Sequence, residues 1–221
     1  MSVDPAISHA VQDYAKGIWS LQRRNEGPVS TSALADRLAV SPASASAMLK
    51  RLEELGLVRR EPYHGVRLSR AGERVALEVL RHHRLLELYL AEALGMPWDR
   101  VHDEAEVLEH AISPELSELI AQKLGHPTVD PHGDPIPGPD GEIQEGPTRA
   151  LGELEPGQRG VFSRVSDSDP DMLRWLADRG IERGDELEVV ERERFGSGLT
   201  VRAGGREHAL GERLASAMRV D

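Results

Sequence analysis

The sequence predicts a mainly α chain that ends in a small β domain. Three observations carry that prediction. Apolar residues recur at helical spacing through most of residues 9–124, with Ser caps and Gly stops dividing the run into separate helices. Residues 126–147 are dense in Pro and Gly, and residues 149–221 fall into short alternating runs separated by tight Gly turns. The resulting division is 1–75, 76–125, a linker over 126–147, and 148–221.

At 221 residues the chain suits one large domain or two to three small ones. It has no cysteine, which removes disulfides, thiolate metal sites and cysteine nucleophiles and fits a cytoplasmic protein. No apolar run reaches membrane-spanning length, and Met1–Ala10 lacks both the basic region and the apolar core of a signal segment. The expectation is a soluble cytoplasmic protein with no membrane partner. The net charge of −11 argues against general nucleic-acid affinity, but it is unevenly spread. Residues 1–75 carry 11 of the 27 Lys and Arg and 8 of the 38 Asp and Glu, a balance of +3 that leaves −14 on the remainder. A basic first segment on an acidic body is compatible with DNA binding by the one and cation binding by the other.

Residues His9 to Arg24 read as a helix, with Val11, Ala15, Ile18, Trp19 and Gln22 near helical spacing and Gly27-Pro28 ending it. A short helix with Leu34 and Leu38 inward follows. Ser41 then caps a second helix that starts at Pro42. This is helix-turn-helix spacing. Ala43, Ser44, Ser46 and Ala47 are small enough to let the first turns of the second helix approach base edges, while Lys50 and Arg51 reach phosphates. Gly56 closes that helix. Leu57-Val58-Arg59-Arg60 and Val66-Arg67-Leu68 read as two short strands around Tyr63-His64-Gly65, a winged hairpin in which Arg59, Arg60 and Arg67 are plausible backbone contacts. The competing reading of the region is a helical hairpin unrelated to DNA.

Ser69 caps a long helix to about Leu94, its stripe formed by Val75, Val79, Leu86 and Leu90 and its end marked by Gly95. Met96-Pro97-Trp98-Asp99 is a turn whose Asp99 can cap the next helix. Ser113-Pro114 caps another through Leu116, Leu119, Ile120 and Leu124 to Gly125. Three helices are few for a closed core, and their apolar stripes call for a partner; a two-fold homodimer is the commonest answer. After the linker, residues 159–165, 186–190, 199–202 and a run ending Met218-Arg219-Val220 alternate as strands. A short helix at about Asp169–Asp178 interrupts them. About five strands with Gly turns suggest a small SH3-like barrel. No Walker loop, Gly-rich dinucleotide motif or catalytic Ser/His/Asp spacing is found.

The chemistry concentrates in His102-Asp103-Glu104-Ala105-Glu106-Val107-Leu108-Glu109-His110. If this stretch is helical, His102, Glu106, Glu109 and His110 fall at i, i+4, i+7 and i+8 and share one face. His83 and Glu87 form a second i, i+4 pair upstream. Imidazoles with carboxylates and no thiolate suit a divalent ion such as Mn²⁺ or Fe²⁺. The alternative is a solvated charged face.

These residues together resemble the diphtheria-toxin-repressor family of metal-dependent transcriptional regulators. The likeness rests on His83-Arg84-Leu85, on Val101-His102-Asp103-Glu104-Ala105 with Glu109-His110, and on Gly133-Asp134-Pro135-Ile136-Pro137, and it covers the whole chain. It implies a winged helix-turn-helix, a helical dimerisation domain holding two metal sites per subunit, and a C-terminal SH3-like domain. It also implies that metal acts as co-repressor on double-stranded operator DNA. By position, Asp13, Glu106, Glu109 and His110 would form the primary site. His83, Glu87 and His102 would form an ancillary site, to which Asp169 would add a carboxylate; Met172 replaces a polar ligand there and Asp171 is a substitute. Iron-responsive members have Met and Cys where this chain has Asp13 and Glu106, so the resemblance points to the manganese-responsive branch, with Fe²⁺ as second choice. Members of that branch with a close binuclear site carry Glu where this chain has Lys16, which favours two separated sites. The expected function is a homodimeric Mn²⁺-dependent repressor of metal-uptake genes. Its rivals are a helical dimetal carboxylate enzyme and a metal-independent winged-helix regulator.

Overall fold

The computed structural model describes residues 7–25, 27–61, 64–193 and 198–221. Its contacts divide the chain into two units. The first comprises Met1–His83, Leu108–Leu119 and Pro137–Glu142, and the second Arg84–Val107, Ile120–Ile136 and Ile143–Asp221.

The first unit opens with α1 (His9–Asn25), α2 (Thr31–Arg37) and α3 (Pro42–Glu54), then β1 (Val58–Glu61) and β2 (Gly65–Leu68), and takes residues 70–83 of α4 (Arg70–Leu94). Each helix starts where its sequence supplies an acceptor for orphan N–H groups. Ser30 Oγ accepts from the Ala33 N–H and Ser41 Oγ from the Ser44 N–H, both at 3.1 Å, and Pro42 occupies the first turn of α3. Gly56, at φ +69°, ends α3 by turning the chain left-handed. Ile18, Leu34, Leu49 and Leu52 are fully buried and pack α1, α2 and α3 into one core with Val58 and Val66 of the hairpin. The hairpin is antiparallel, with Val58 opposite Leu68 and Glu61 opposite Gly65. It is the winged helix that the sequence predicts; Tyr63, at the expected tip, lies outside the described residues.

Two backbone bonds tie this wing to the chain entering α2: the Val29 N–H donates to Val66 O at 2.8 Å and the Val66 N–H to Val29 O at 3.0 Å. Gly65 makes the approach possible. It sits at φ +115°, and a Cβ there would lie 2.1 Å from Val29 O. In the same unit, Ser113 Oγ caps α6 (Pro114–Lys123) through the Leu116 N–H at 3.1 Å, and Arg81 donates to Pro137 O at 2.8 Å.

The second unit is built on a six-stranded antiparallel sheet in the order β3-β8-β4-β5-β6-β7. The strands are β3 (Arg149–Ala150), β4 (Arg159–Val165), β5 (Glu186–Arg192), β6 (Leu199–Ala203), β7 (Arg206–Leu210) and β8 (Met218–Val220). The last strand inserts between β3 and β4. Phe162, Leu173, Leu176, Ile181 and Leu187 fill the core together with one face of α7 (Pro170–Ala177), and Trp98 packs against it. Sequence alternation predicts about five strands. The named runs correspond to β4, β5, β6 and β8; they leave out the two-residue β3 and also β7, a sheet edge in which only Leu210 is buried, so no alternating signal arises. The short α8 (Glu212–Ala217) is missed as well.

The expected linker is only partly one. Pro and Gly do keep residues 126–136 out of helix, but the segment is a fixed loop in which Asp130, His132 and Ile136 are buried. Asp130 Oδ1 accepts from the N–H groups of both His132 and Asp134 at 2.9 Å. Gly133, at φ +93°, brings the loop so close to β4 that a Cβ would meet Ser163 O at 2.0 Å. Among the described residues no helix is long and apolar enough to cross a membrane.

Gly65→Ala should cost about 1–3 kcal/mol, combining a strained φ with a collision against Val29 O. Urea unfolding of the variant beside the parent checks this, and an unchanged midpoint would mean that the wing is not held by the Val29–Val66 bridge.

Candidate functional site

The stretch that carries the expected ligands is helical only in its first part. α5 runs Val101–Leu108, and Glu109 and His110 lie in the turn beyond it, closed by the Ala111 N–H donating to Leu108 O at 2.9 Å. The expectation of one helical face from His102 to His110 is therefore corrected. Leaving the helix lets Glu109 bury its carboxylate completely within the first unit.

There the turn meets α1. Asp13 Oδ1 lies 2.8 Å from His110 Nε2, and Glu109 Oε1 lies 3.4 Å from the same nitrogen. His110 Nδ1–H donates to Gln12 Oε1 at 2.5 Å, and the His9 ring stacks on His110 at 4.7 Å. With Nδ1 facing Gln12, Nε2 faces two carboxylates, an arrangement that places a proton or a metal ion between nitrogen and oxygen. Asp13, Glu109 and His110 each offer a ligand atom within 4.8 Å of the others. Glu109 is further engaged by Lys16 Nζ, at 2.7 and 2.9 Å, and by His83 Nδ1 at 2.6 Å. The neighbouring His82 donates to Glu109 O at 3.2 Å, and burial lowers its pKa. Gln12, His9 and His82 carried no signal in the sequence.

The second unit holds another donor set. His102 Nδ1 lies 3.2 Å from Glu87 Oε1 on α4 and 3.1 Å from Asp167 Oδ2. Hydrogen bonding to Asp167 and then to Glu87 pushes the His102 pKa up to about 10. Burial works to raise Asp167, but the bond and charge of His102 outweigh it and hold that carboxyl below its usual range. Glu106 is exposed and stands 3.8 Å from His102 Nε2. Asp169, the carboxylate expected from the C-terminal domain, is elsewhere. It caps α7 by accepting from the Asp171 N–H at 3.0 Å and pairs with Arg213 at 2.9 Å. Asp171 is bonded to Arg174, and Met172 packs on the core. The residue that reaches His102 is Asp167, two positions earlier in the same Ser-Asp-Ser-Asp run. Asp99 also pairs with Arg174, at 3.1 Å.

Behind this set lie two residues that sequence reasoning had left inside a linker. His132 Nε2–H donates to Trp98 O at 2.8 Å, which leaves the Nδ1 lone pair fully buried, without a hydrogen-bond partner, 4.0 Å from Glu87 Oε2. Glu87, Asp130 and His132 have ligand atoms within 4.8 Å of one another. Burial and the nearby Asp134 raise the Asp130 pKa well above normal, against the opposing pull of Arg84. Three buried donors and an orphaned lone pair suit a divalent cation. The signal available in the sequence was the alternation Asp130, His132, Asp134.

The remaining expected site residues lie on the winged helix. Ser41, Pro42, Ala43, Ser44, Ser46, Ala47, Lys50 and Arg51 are exposed on α3, opposite its buried Ala45, Leu49 and Leu52. Arg60 on β1 is exposed and held by Glu53 at 2.8 Å.

The family description "Iron dependent repressor, N-terminal DNA binding domain" matches residues 6–66, and "Iron dependent repressor, metal binding and dimerisation domain" matches residues 69–138. A FeoA domain matches residues 149–221. The solved structure of a manganese-dependent transcriptional repressor in complex with manganese is 45% identical with a TM-score of 0.87, covering 95% of this chain and 98% of its own. The chain belongs to the iron-dependent repressor family.

Other members agree over the full length. The iron-dependent repressor IdeR of Mycobacterium leprae is 29% identical over 94% of this chain and 95% of its own. The structure of the manganese regulator SloR is 29% identical with a TM-score of 0.76, covering 96% of this chain and 97% of its own. The protein is thus a metal-dependent transcriptional repressor and not an enzyme, which removes the dimetal-enzyme rival. Its DNA-binding and dimerisation domains imply DNA and a second copy of the chain as partners. The Asp13–His110 approach joins the two repressor domains inside the first unit: Asp13 comes from the DNA-binding span, and Glu109 and His110 from the metal-binding span.

A ligating imidazole must give up its proton. With its pKa raised to about 10, His102 is protonated at neutral pH, so a metal held there displaces that proton and binds more tightly as pH rises toward 10. Mn²⁺ titrations in buffers of differing ionisation enthalpy should show about one proton released at this set, and affinity should fall by up to tenfold per unit of acidification. Calorimetric heats independent of buffer would contradict the assignment of His102.

Proposed function

We propose that this protein is a homodimeric, Mn²⁺-activated repressor of metal-uptake genes that acts in the cytoplasm on double-stranded operator DNA, with Fe²⁺ as a second activating ion. In this reading each subunit has two metal sites. Asp13, Glu109 and His110 belong to the first. Glu87, His102 and Asp167 belong to the second, with Asp130 and His132 reinforcing it. His83 faces Glu109 and is kept as a proposed ligand; Glu106 is kept as a proposed ligand too, one of the donors that could hold an ion. Carboxylates and imidazoles without thiolate favour Mn²⁺ over softer ions.

The observation that carries the proposal is His110 Nε2 held 2.8 Å from Asp13 Oδ1, with Glu109 beside them. A bound divalent ion supplies the positive charge that these facing groups lack. The rest is done by the chain itself. Gln12 fixes the tautomer of His110, and Asp13 ties α1 to the turn after α5. Because α1 and α3 share one core, holding α1 also fixes the recognition helix. Ser44 and Ser46 then meet base edges, and Lys50 and Arg51 meet phosphates. Leu116 and Leu119, exposed at 45% and 54% on α6, are proposed to be covered by the second copy.

Asp13→Ala should stay dimeric and still take up Mn²⁺ at the second site, yet lose metal-stimulated operator binding. Fluorescence anisotropy of labelled operator across a series of divalent ions tests this, and a parental Mn²⁺ response would defeat the bridging mechanism. Ser44→Glu should abolish operator binding with Mn²⁺ affinity intact, because it sets a carboxylate against phosphates and base acceptors. Undiminished DNA affinity would place the recognition surface elsewhere.

A further inference from the structure

The first-unit cluster contains a positive charge of its own. Lys16 stands one turn after Asp13 on α1, and its ammonium contacts both oxygens of Glu109 at 2.7 and 2.9 Å. The Glu109 side chain is 0% exposed and that of Lys16 only 16%, so the pair is largely shielded from water. A carboxylate this deeply buried requires a compensating charge, and in the metal-free chain Lys16 provides it. Glu109 Oε1 also lies 3.4 Å from His110 Nε2, and Glu109 offers one ligand atom to the group it forms with Asp13 and His110. The ammonium and a divalent ion therefore seek the same carboxylate from a few ångströms apart, in surroundings that screen their repulsion poorly.

We infer that Lys16 is a tethered competitor for Glu109, an affinity-setting residue that keeps the metal-free protein stable and raises the Mn²⁺ concentration needed to fill the first-unit cluster. The inference rests on the proposed reading of that cluster as a metal site. Asp13 and Glu109 bring two negative charges, and Lys16 returns one before any ion arrives. An entering ion must either displace the ammonium from at least one Glu109 oxygen or sit beside it. Both weaken binding. Lys16→Gln keeps a polar side chain of similar length and removes the charge, so two properties should move in opposite directions. The metal-free protein should melt at lower temperature, because Glu109 stays buried without its cation. The cluster should bind Mn²⁺ about tenfold more tightly, because a like charge has left its edge.

The experiment uses the full chain carrying His102→Ala, Asp167→Ala and His132→Ala, which remove a donor from each second-unit group, with and without Lys16→Gln. Isothermal titration with MnCl₂ gives affinity, and thermal melting without metal gives stability. Tighter binding with a lower melting temperature supports the inference. Unchanged or weaker binding overturns it, since a lysine that only braces the fold, or helps to hold the ligand, would leave affinity level or reduce it. Lys16→Arg, which retains the charge, should bind at parental strength or more weakly; tighter binding there also overturns the competitor role. If the Lys16-containing background bound no Mn²⁺ at all, the first-unit metal site itself would fall together with the inference. Binding by that background with no gain on losing the charge would sink the competitor alone.

Discussion

Taking a carboxylate out of water is among the costliest moves a folding chain can make, and among the described residues it happens at Glu87, Glu109 and Asp130. Each burial dictates what surrounds it. Glu109 draws in Lys16 and His83, and its backbone carbonyl holds His82. Asp130 wraps a loop around itself through two N–H groups and faces Arg84 at 3.6 Å. Glu87 shares His102 with Asp167. Around Glu87 and Asp130 the protein groups leave one donor unused, the unpartnered His132 Nδ1. The same burial that makes the interior expensive makes it selective for a cation.

The two units meet this constraint differently. In the first, a lysine and a glutamine from α1 supply charge and orientation, and α1 shares one core with α3. In the second, arginines supply the charge. Arg84 contacts Asp130, Asp134 and the Pro135 carbonyl, and Arg183 bonds to the Asp130 carbonyl. Guanidinium groups keep their charge at any accessible pH and bind several oxygens at once, which suits a loop that has to be fixed. An ammonium is a point charge on a flexible stem, which suits a contact that has to give way.

The winged helix was legible because its signals are local: Ser30 and Ser41 before their helices, Gly56 after α3, small residues on one face and apolar ones on the other. Of the candidate donors that the fold groups together, Glu87, Glu109, His102 and His110 stood out by spacing, and Asp13 only through the family resemblance. What failed depended on tertiary context. No periodicity shows that α5 stops at Leu108, since Glu109 and His110 continue the helical pattern; burial of Glu109 against α1 overrides it. Asp167 and Asp169 are indistinguishable in a run of alternating Ser and Asp, and only the start of α7 assigns one to a cap and leaves the other for His102. Asp130 and His132 were hidden by the Pro and Gly around them, which report the absence of helix and say nothing of depth.

The paired backbone bonds between Val29 and Val66 weld the wing to the segment that launches α2, and α2 packs directly on α3. The recognition helix and the strands that support it therefore belong to one core. Activation of such a reader buries little new apolar surface, so its calorimetric signature is set by charge and proton exchange. Metal binding should carry a heat-capacity change close to zero, in contrast to a regulator whose recognition helix folds as the metal enters.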